Sequence, residues 1–262
     1  MVTALTPNSL KLAELRITWE PLPYDFQLDE KPVENTGQPL IAGALRESLE
    51  LASWIQPQML IASNFGLCVT VNEKLAIKAP DWLYVAQVKD PKQTRKAYTP
   101  HLEGDVPTVV MEFLSDEDGK EYSSKQTFPP GKWFFYEQIL KVPTYVIFEP
   151  EGGLLEVYRL KDGRYELEQP DVEGRHWIAA MSLFLGTWRG QKEERDGYWL
   201  RWWDADEQIL PWAVERVAAV TQVAAEERQR AEQERQRAEQ ERRRAERLAE
   251  ALRSQGINPE EI

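Results

Sequence analysis

Residues 108–115 read TVVMEFLS, an apolar run broken by a single acid, Glu112, with Val109, Val110, Met111, Phe113 and Leu114 around it. A short run of this kind reads as a strand covered on both faces. A carboxylate buried there without a partner costs several kcal/mol or more. Glu112 is therefore exposed on an edge strand, paired, or bound to a metal.

Upstream, PLIAGALRESLELASWI (39–55) places Ile41, Leu45, Leu49 and Ala52 at helical spacing ahead of Pro57. GLCVTVN, KLAIKAP and DWLYVAQVK follow as strand-like runs. Downstream, GKWFFYEQILK (131–141) reads as a helix and VPTYVIFEP as a strand. EGGLLEVYRL and GRYELEQ, separated by Lys161-Asp162, form a predicted hairpin, with Gly152 and Gly153 as turn residues rather than a phosphate loop. Helix, strands, helix, strands is the order of an α/β domain around a central mixed sheet.

A chain of 262 residues, 42% hydrophobic and with all ten tryptophans before residue 213, can bury a sizeable core. The single cysteine, Cys68, lies in the apolar run LCVTV and reads as a core residue; it excludes a disulfide framework and a thiolate zinc site. No secretory leader pattern opens the chain, and no apolar run is long enough to span a bilayer, so the expected location is the cytoplasm. A net charge of −12 argues against a surface coated in basic groups for nucleic acid but leaves room for a local basic groove. KDPKQTRK (89–96) reads first as a solvated loop and second as a contact for backbone phosphates.

The composition changes near residue 212. Residues 1–212 form the expected α/β domain, with a core at about 40–190, and residues 213–262 a charged helical tail. The tail repeats an ERQRAEQ-type heptad that places Ala224, Ala231, Ala238, Ala245 and Leu252 in register. Glu226 with Arg230 and Glu239 with Arg243 are spaced to support a helix, and Gly256 with Pro259 marks its stop. Seven Glu and eight Arg between Glu226 and Arg247 nearly cancel, so the acidity belongs to the globular part. One alanine per heptad is a thin seam for a coiled coil, and a solvated helix stiffened by ion pairs competes with self-association; Leu248, Ala249 and Leu252 offer a docking point.

Three residues carry the chemistry. Asp81 follows Ala79-Pro80 at the start of one apolar strand, Glu112 lies inside the next, and Lys132 opens a helix with Tyr136 one turn later on the same face. Two carboxylates on neighbouring strands with a lysine nearby can hold a hard divalent cation and activate water. Asp after Pro is also a common turn residue, and lysines open many helices, so the three together weigh more than any one. With two histidines, His101 and His176, a His-rich metal site or a Ser-His-Asp hydrolase is hard to assemble, and no GxSxG, GxGxxG-helix or GxxxxGK[ST] motif occurs. The tryptophans of YWLRWWD are expected to close a core rather than to stack on bases.

The pattern APD, then VVMEFLS, then GKWFFYEQILKVPTYVIFEP resembles the Uma2 family, abundant in cyanobacteria and similar to the PD-(D/E)xK restriction-endonuclease superfamily. The resemblance covers roughly residues 40–190, and the tail suits its longer members. It implies a restriction-endonuclease-like core with a central mixed sheet flanked by helices. It also implies Asp81 and Glu112 as ligands of Mg²⁺ or Mn²⁺, Lys132 as the catalytic lysine, and DNA phosphodiester hydrolysis. Leu114 occupies the slot where the superfamily usually keeps its lysine, so the lysine must come from the helix. The long segment DEDGKEYSSKQTFPPG offers Lys120 and Lys125 as rivals, Phe128 stands where an acid often precedes the family's lysine, and Glu149-Pro150 replaces Asp-Pro. The first helix lacks a histidine, so Glu47 (a further candidate ligand) or Glu50 would have to serve. The leading expectation is a metal-dependent endonuclease. Its rival is an interaction or regulatory module on the same fold, with a homodimer or protein partner engaged through the tail.

Overall fold

The computed structural model describes residues 10, 15–22, 36–114 and 119–254. In chain order these form β1 (Ile17–Thr18), α1 (Gly37–Leu51), β2 (Leu60–Ala62), β3 (Leu67–Val71), β4 (Lys74–Lys78), β5 (Trp82–Val85) and β6 (Val109–Phe113). A 3₁₀ turn (Lys120–Tyr122) leads to α2 (Lys132–Phe134), which runs on as a π-helix (Phe135–Leu140). Then come β7 (Thr144–Glu149), β8 (Leu154–Lys161), β9 (Arg164–Leu167), β10 (His176–Ile178), β11 (Leu183–Lys192), β12 (Arg195–Trp203) and α3 (Ala213–Ser254). The expected tail stop at Gly256 and Pro259 lies outside the described residues, as does Ser115.

A six-stranded mixed sheet, ordered β2-β5-β6-β7-β8-β9, organises the fold, flanked by the three-stranded sheets β1-β3-β4 and β10-β11-β12. β6 and β7 pair in parallel, Val110 opposite Tyr145 and Glu112 opposite Ile147, while the other neighbours in this sheet are antiparallel. Parallel neighbours need a crossover, and α2 with its π-helix supplies it. β6 is thus an interior strand, buried along its whole length, which removes the edge-strand reading of Glu112.

Alternation along the strands makes two cores. On one face Val110, Leu83, Val85, Tyr145 and Ile147 pack with Phe134, Phe135, Ile139 and Leu140 of the crossover and with Leu67, Val69 and Val71 of β3. On the other, Trp82 meets Trp202 at 5.9 Å between ring centroids and Phe113 meets Phe148 at 6.2 Å. α1 lies against β12 on this second side, with Ile41, Leu45 and Leu49 buried. The helix ends at Leu51, and Ser53 takes φ 55°, so Ala52 falls beyond the apolar stripe and is exposed. Of the three YWLRWWD tryptophans, Trp199 and Trp202 are buried on β12, as expected, and Trp203 is half-buried.

Two of the short hairpins share one turn chemistry. Asn72-Glu73 between β3 and β4 and Asp162-Gly163 between β8 and β9 have positive φ at both loop positions, matching the right-handed strand twist. Register pairs Lys161 with Arg164, which shifts the second loop one residue from its sequence-based placement.

By contact the chain divides into two compact units, Met1–Pro211 and Trp212–Ile262. In the second, α3 runs 42 residues with no buried residue. Arg243 pairs with Glu239 at 2.5 Å and Arg242 with Glu246 at 2.9 Å, while Glu226 accepts from Gln222. Val214, Val217, Val220 and Val223 are exposed. Among the described residues no helix is long and apolar enough to cross a membrane.

Interior and helical tail should respond differently to truncation. Ile147→Ala, on a strand buried on both faces, is expected to cost about 2–5 kcal/mol, and Val220→Ala on α3 to stay within about 0.5 kcal/mol. Urea denaturation followed by tryptophan fluorescence measures both.

Candidate active site

Glu112 shares a strand face with Val110, so its side chain enters the core beneath the crossover. It is fully buried, and each carboxylate oxygen accepts one hydrogen bond: Oε1 from the Tyr136 hydroxyl at 2.8 Å, Oε2 from Lys132 Nζ at 3.0 Å. Both donors come from the crossover, four residues apart, where α2 passes into the π-helix. π-turns inside helices occur frequently at functional sites.

Asp81 precedes β5. The antiparallel register pairs Trp82 with Met111, and one further step sets Asp81 across from Glu112 on the same face. Its Oδ2 accepts from the Phe113 backbone N–H at 2.5 Å, and its carbonyl accepts from the Asn64 N–H at 3.3 Å. Asp81 also lines a cleft of about 300 Å³ with Gln38, Ala42, Ser63 and Asn64, whereas Glu112 is fully buried.

Lys132 Nζ reaches a second acid, Glu121 Oε1, at 3.2 Å. Glu121 sits in the 3₁₀ turn, buried, and Gly131 allows that segment to lie against the start of α2. A Cβ on Gly131 would stand 2.1 Å from the Ser123 carbonyl oxygen. Lys120 and Lys125 are exposed, so of the three sequence-derived lysines it is Lys132 that reaches Glu112. Glu47 instead pairs with Lys192 of β11 at 2.9 Å, and Glu50 with Arg46 at 2.9 Å. α1 docks its apolar stripe on β12, which brings Glu47 to Lys192, while Glu50 pairs along the helix itself.

Two further groups escaped the sequence reading. Glu121 lay in an insertion weighed only for its lysines. Lys78, the last residue of β4, is half-buried, its side chain forms no hydrogen bond or ion pair among the described residues, and it feels the charges of Lys132 and Glu112. A lysine ending an apolar strand three residues before Asp81 was the only signal for it.

Burial pushes the Glu112 carboxyl up to about 8; the Lys132 charge and the two hydrogen bonds oppose the rise and Asp81 adds to it. Burial acts the other way on Lys132, but Glu112 and Glu121 more than reverse it and leave the ammonium above its ordinary value. The partners thus move in the same direction for different reasons. Glu112 has no solvent at all, whereas Lys132 keeps a quarter of its side chain exposed and stands between two acids. Lys78 is lowered, chiefly by burial and then by Lys132.

Asp81 and Glu112 are hard oxygen donors. Among the described residues no three His, Cys, Asp or Glu side chains converge into an all-protein cage. One carboxylate at a cleft, Asp81, with a second, Glu112, on the neighbouring strand suits Mg²⁺ or Mn²⁺, which keep several waters and complete their shell with substrate phosphate. The donor set fits such an ion.

A carboxyl raised from 4.5 to about 8 binds its proton in the folded state and loses it in the unfolded chain across that interval. Its contribution to stability is full below pH 4.5 and declines as pH rises through about 8. In EDTA, Glu112→Gln should therefore gain stability relative to the wild type between pH 5 and pH 9; urea titrations at the two pH values measure the difference.

No curated protein matches this chain. The model of the Uma2 family, described as "Putative restriction endonuclease", matches residues 31–190, a span that includes Lys78, Asp81, Glu112, Glu121, Lys132 and Tyr136. That match takes in more than half of the chain, the six-stranded mixed sheet and its crossover, and the chain belongs to the Uma2 family.

Proposed function

We propose that this protein is a cytoplasmic, divalent-metal-dependent endonuclease that hydrolyses DNA phosphodiester bonds. The observation that carries the reading is the carboxylate pair Asp81–Glu112 on neighbouring strands with the Lys132 ammonium 3.0 Å from Glu112. The family's description supports the nuclease class. Asp81 and Glu112 would hold Mg²⁺ or Mn²⁺. Such an ion, when bound, supplies Lewis-acid polarisation of a phosphoryl oxygen and lowers the pKa of the attacking water.

The chain's own groups do the rest. Tyr136 fixes the Glu112 carboxylate through one oxygen. Lys132, preorganised in a largely dry site, offers its charge where negative charge grows on the phosphoryl oxygens. Lys78 adds a second cation on the same side, suited to a neighbouring backbone phosphate. Hydrolysis adds the water hydroxyl to phosphorus and returns its proton to the departing sugar oxygen, so water is the only co-reactant.

A second reading, an interaction or regulatory module, is favoured by the net charge of −12 and by the exposed valines of α3, which could seat a second copy of the chain or a protein partner. Salt separates the two. Phosphate binding weakens steeply with salt, and Lys78→Gln should lower the slope of log affinity against log salt by about 1. DNA affinity that is absent, or unchanged between 50 and 200 mM salt (about 10³-fold or more is expected for many phosphate contacts), would favour the module.

Calorimetric titration with Mn²⁺ tests the site directly. Wild type is expected to bind, with affinity climbing as pH rises through about 8 because the ion displaces the Glu112 proton. Asp81→Asn and Glu112→Gln should lose the ion while staying folded. In a cleavage assay Lys132→Met should cost about 10²–10³-fold in rate; cleavage that survives in all three variants places the chemistry elsewhere.

A further inference from the structure

Glu121 is more than nine-tenths buried, and while its Oε1 meets Lys132, its Oε2 is buried with no hydrogen-bond partner. Leaving a carboxylate oxygen unpaired in the interior is costly, so a spare acceptor held in place calls for a donor. The holding is firm. The Tyr145 hydroxyl donates to the Glu121 carbonyl at 2.9 Å, Tyr122 stacks on Trp133 beside Lys132 at 6.4 Å, and Gly131 admits the segment against α2.

The neighbouring donor with capacity is Lys132. Its ammonium has three N–H groups, and the acids Glu112 and Glu121 take one each. Glu112 and Glu121 therefore compete for one cation. Any positive charge that settles on Glu112 weakens that acid's hold on the ammonium, and the two charges also repel. Glu121 then offers Lys132 a place to stay, with an oxygen already free of other partners.

We propose that Glu121 is a positioning residue: it is the second seat of Lys132, to which the ammonium shifts when a divalent cation loads the Asp81–Glu112 pair. The inference rests on the metal-site reading above. Without Glu121, Lys132 would remain on Glu112 and compete with the cation, or would leave the site for solvent. Glu121 acts through Lys132 and holds no metal itself.

Calorimetric Mn²⁺ titration of the full chain at pH 8, as a cycle of wild type, Glu121→Gln, Lys132→Met and the double variant, tests this. Glu121→Gln should weaken Mn²⁺ binding about tenfold. Lys132→Met should bind at least as tightly as the wild type, and adding Glu121→Gln to it should change nothing further. Equal losses from Glu121→Gln in both backgrounds would make Glu121 a direct ligand and overturn the proposal. So would an unchanged affinity in the single variant. A wild type that binds no Mn²⁺ overturns the metal-site reading and this inference with it, whereas the other two failures leave that reading standing. Should a variant not fold, nitrogen-15 NMR of the Lys132 ammonium decides in the wild type. Its protected signal should shift yet persist when Mg²⁺ is added, and its loss to solvent exchange would overturn the proposal.

Discussion

A carboxylate with no solvent, held from one side by a phenol and an ammonium, is the constraint around which this domain is built. Glu112 can sit in the middle of an apolar strand because Tyr136 and Lys132 supply one donor to each oxygen. Both donors must come from one segment, and that segment must lie across the sheet face. This ties the position of the crossover to the strand beneath it. The same hydrogen bonds that make the burial tolerable also set the chemistry, since they leave a charge-poised acid beside a cation.

The sheet topology explains why that cation arrives from a helix. β6 and β7 are parallel neighbours, and the connection between them has to leave one end of the sheet and return to the other. It passes over the face that Glu112 occupies. A lysine two residues after Glu112 would share that strand face, and Leu114 stands there instead, packed on the core cluster. The charge moves to the first residue of α2 while its destination, the carboxylate, is kept.

Electrostatics are local rather than global. The chain carries a net charge of −12, yet Lys78, lowered first by burial, is lowered further by the Lys132 charge, and the exposed Lys125 adds a weaker push. Acids on the opposite side of the sheet, Glu47 among them, find their own cations, such as Lys192. Cations and acids thus alternate at the buried site, Lys132 standing between Glu112 and Glu121 with Lys78 and Asp81 nearby. Low dielectric at the buried end makes these charges act more strongly than the same groups would on the surface.

How much of this could be read in advance divides along physical lines. The strands of the central sheet, the first helix and the hairpin between β8 and β9 followed from periodicity and turn chemistry, and the cost of burying a charge singled out Glu112; all of these act over a few residues. The role of each insertion residue did not follow. Glu121 and Lys78 lie 9 and 34 positions from Glu112 along the chain, and only folding brings them to Lys132. Glu47 shows the converse: the family resemblance offered it as a ligand although helical spacing set it off the apolar face, and the docking of α1 on β12 sent it to Lys192. Local pattern determines which side chains are buried and on which face. Which buried charges meet is decided by packing between elements distant in sequence, where register and crossover direction, rather than residue type, select the partner.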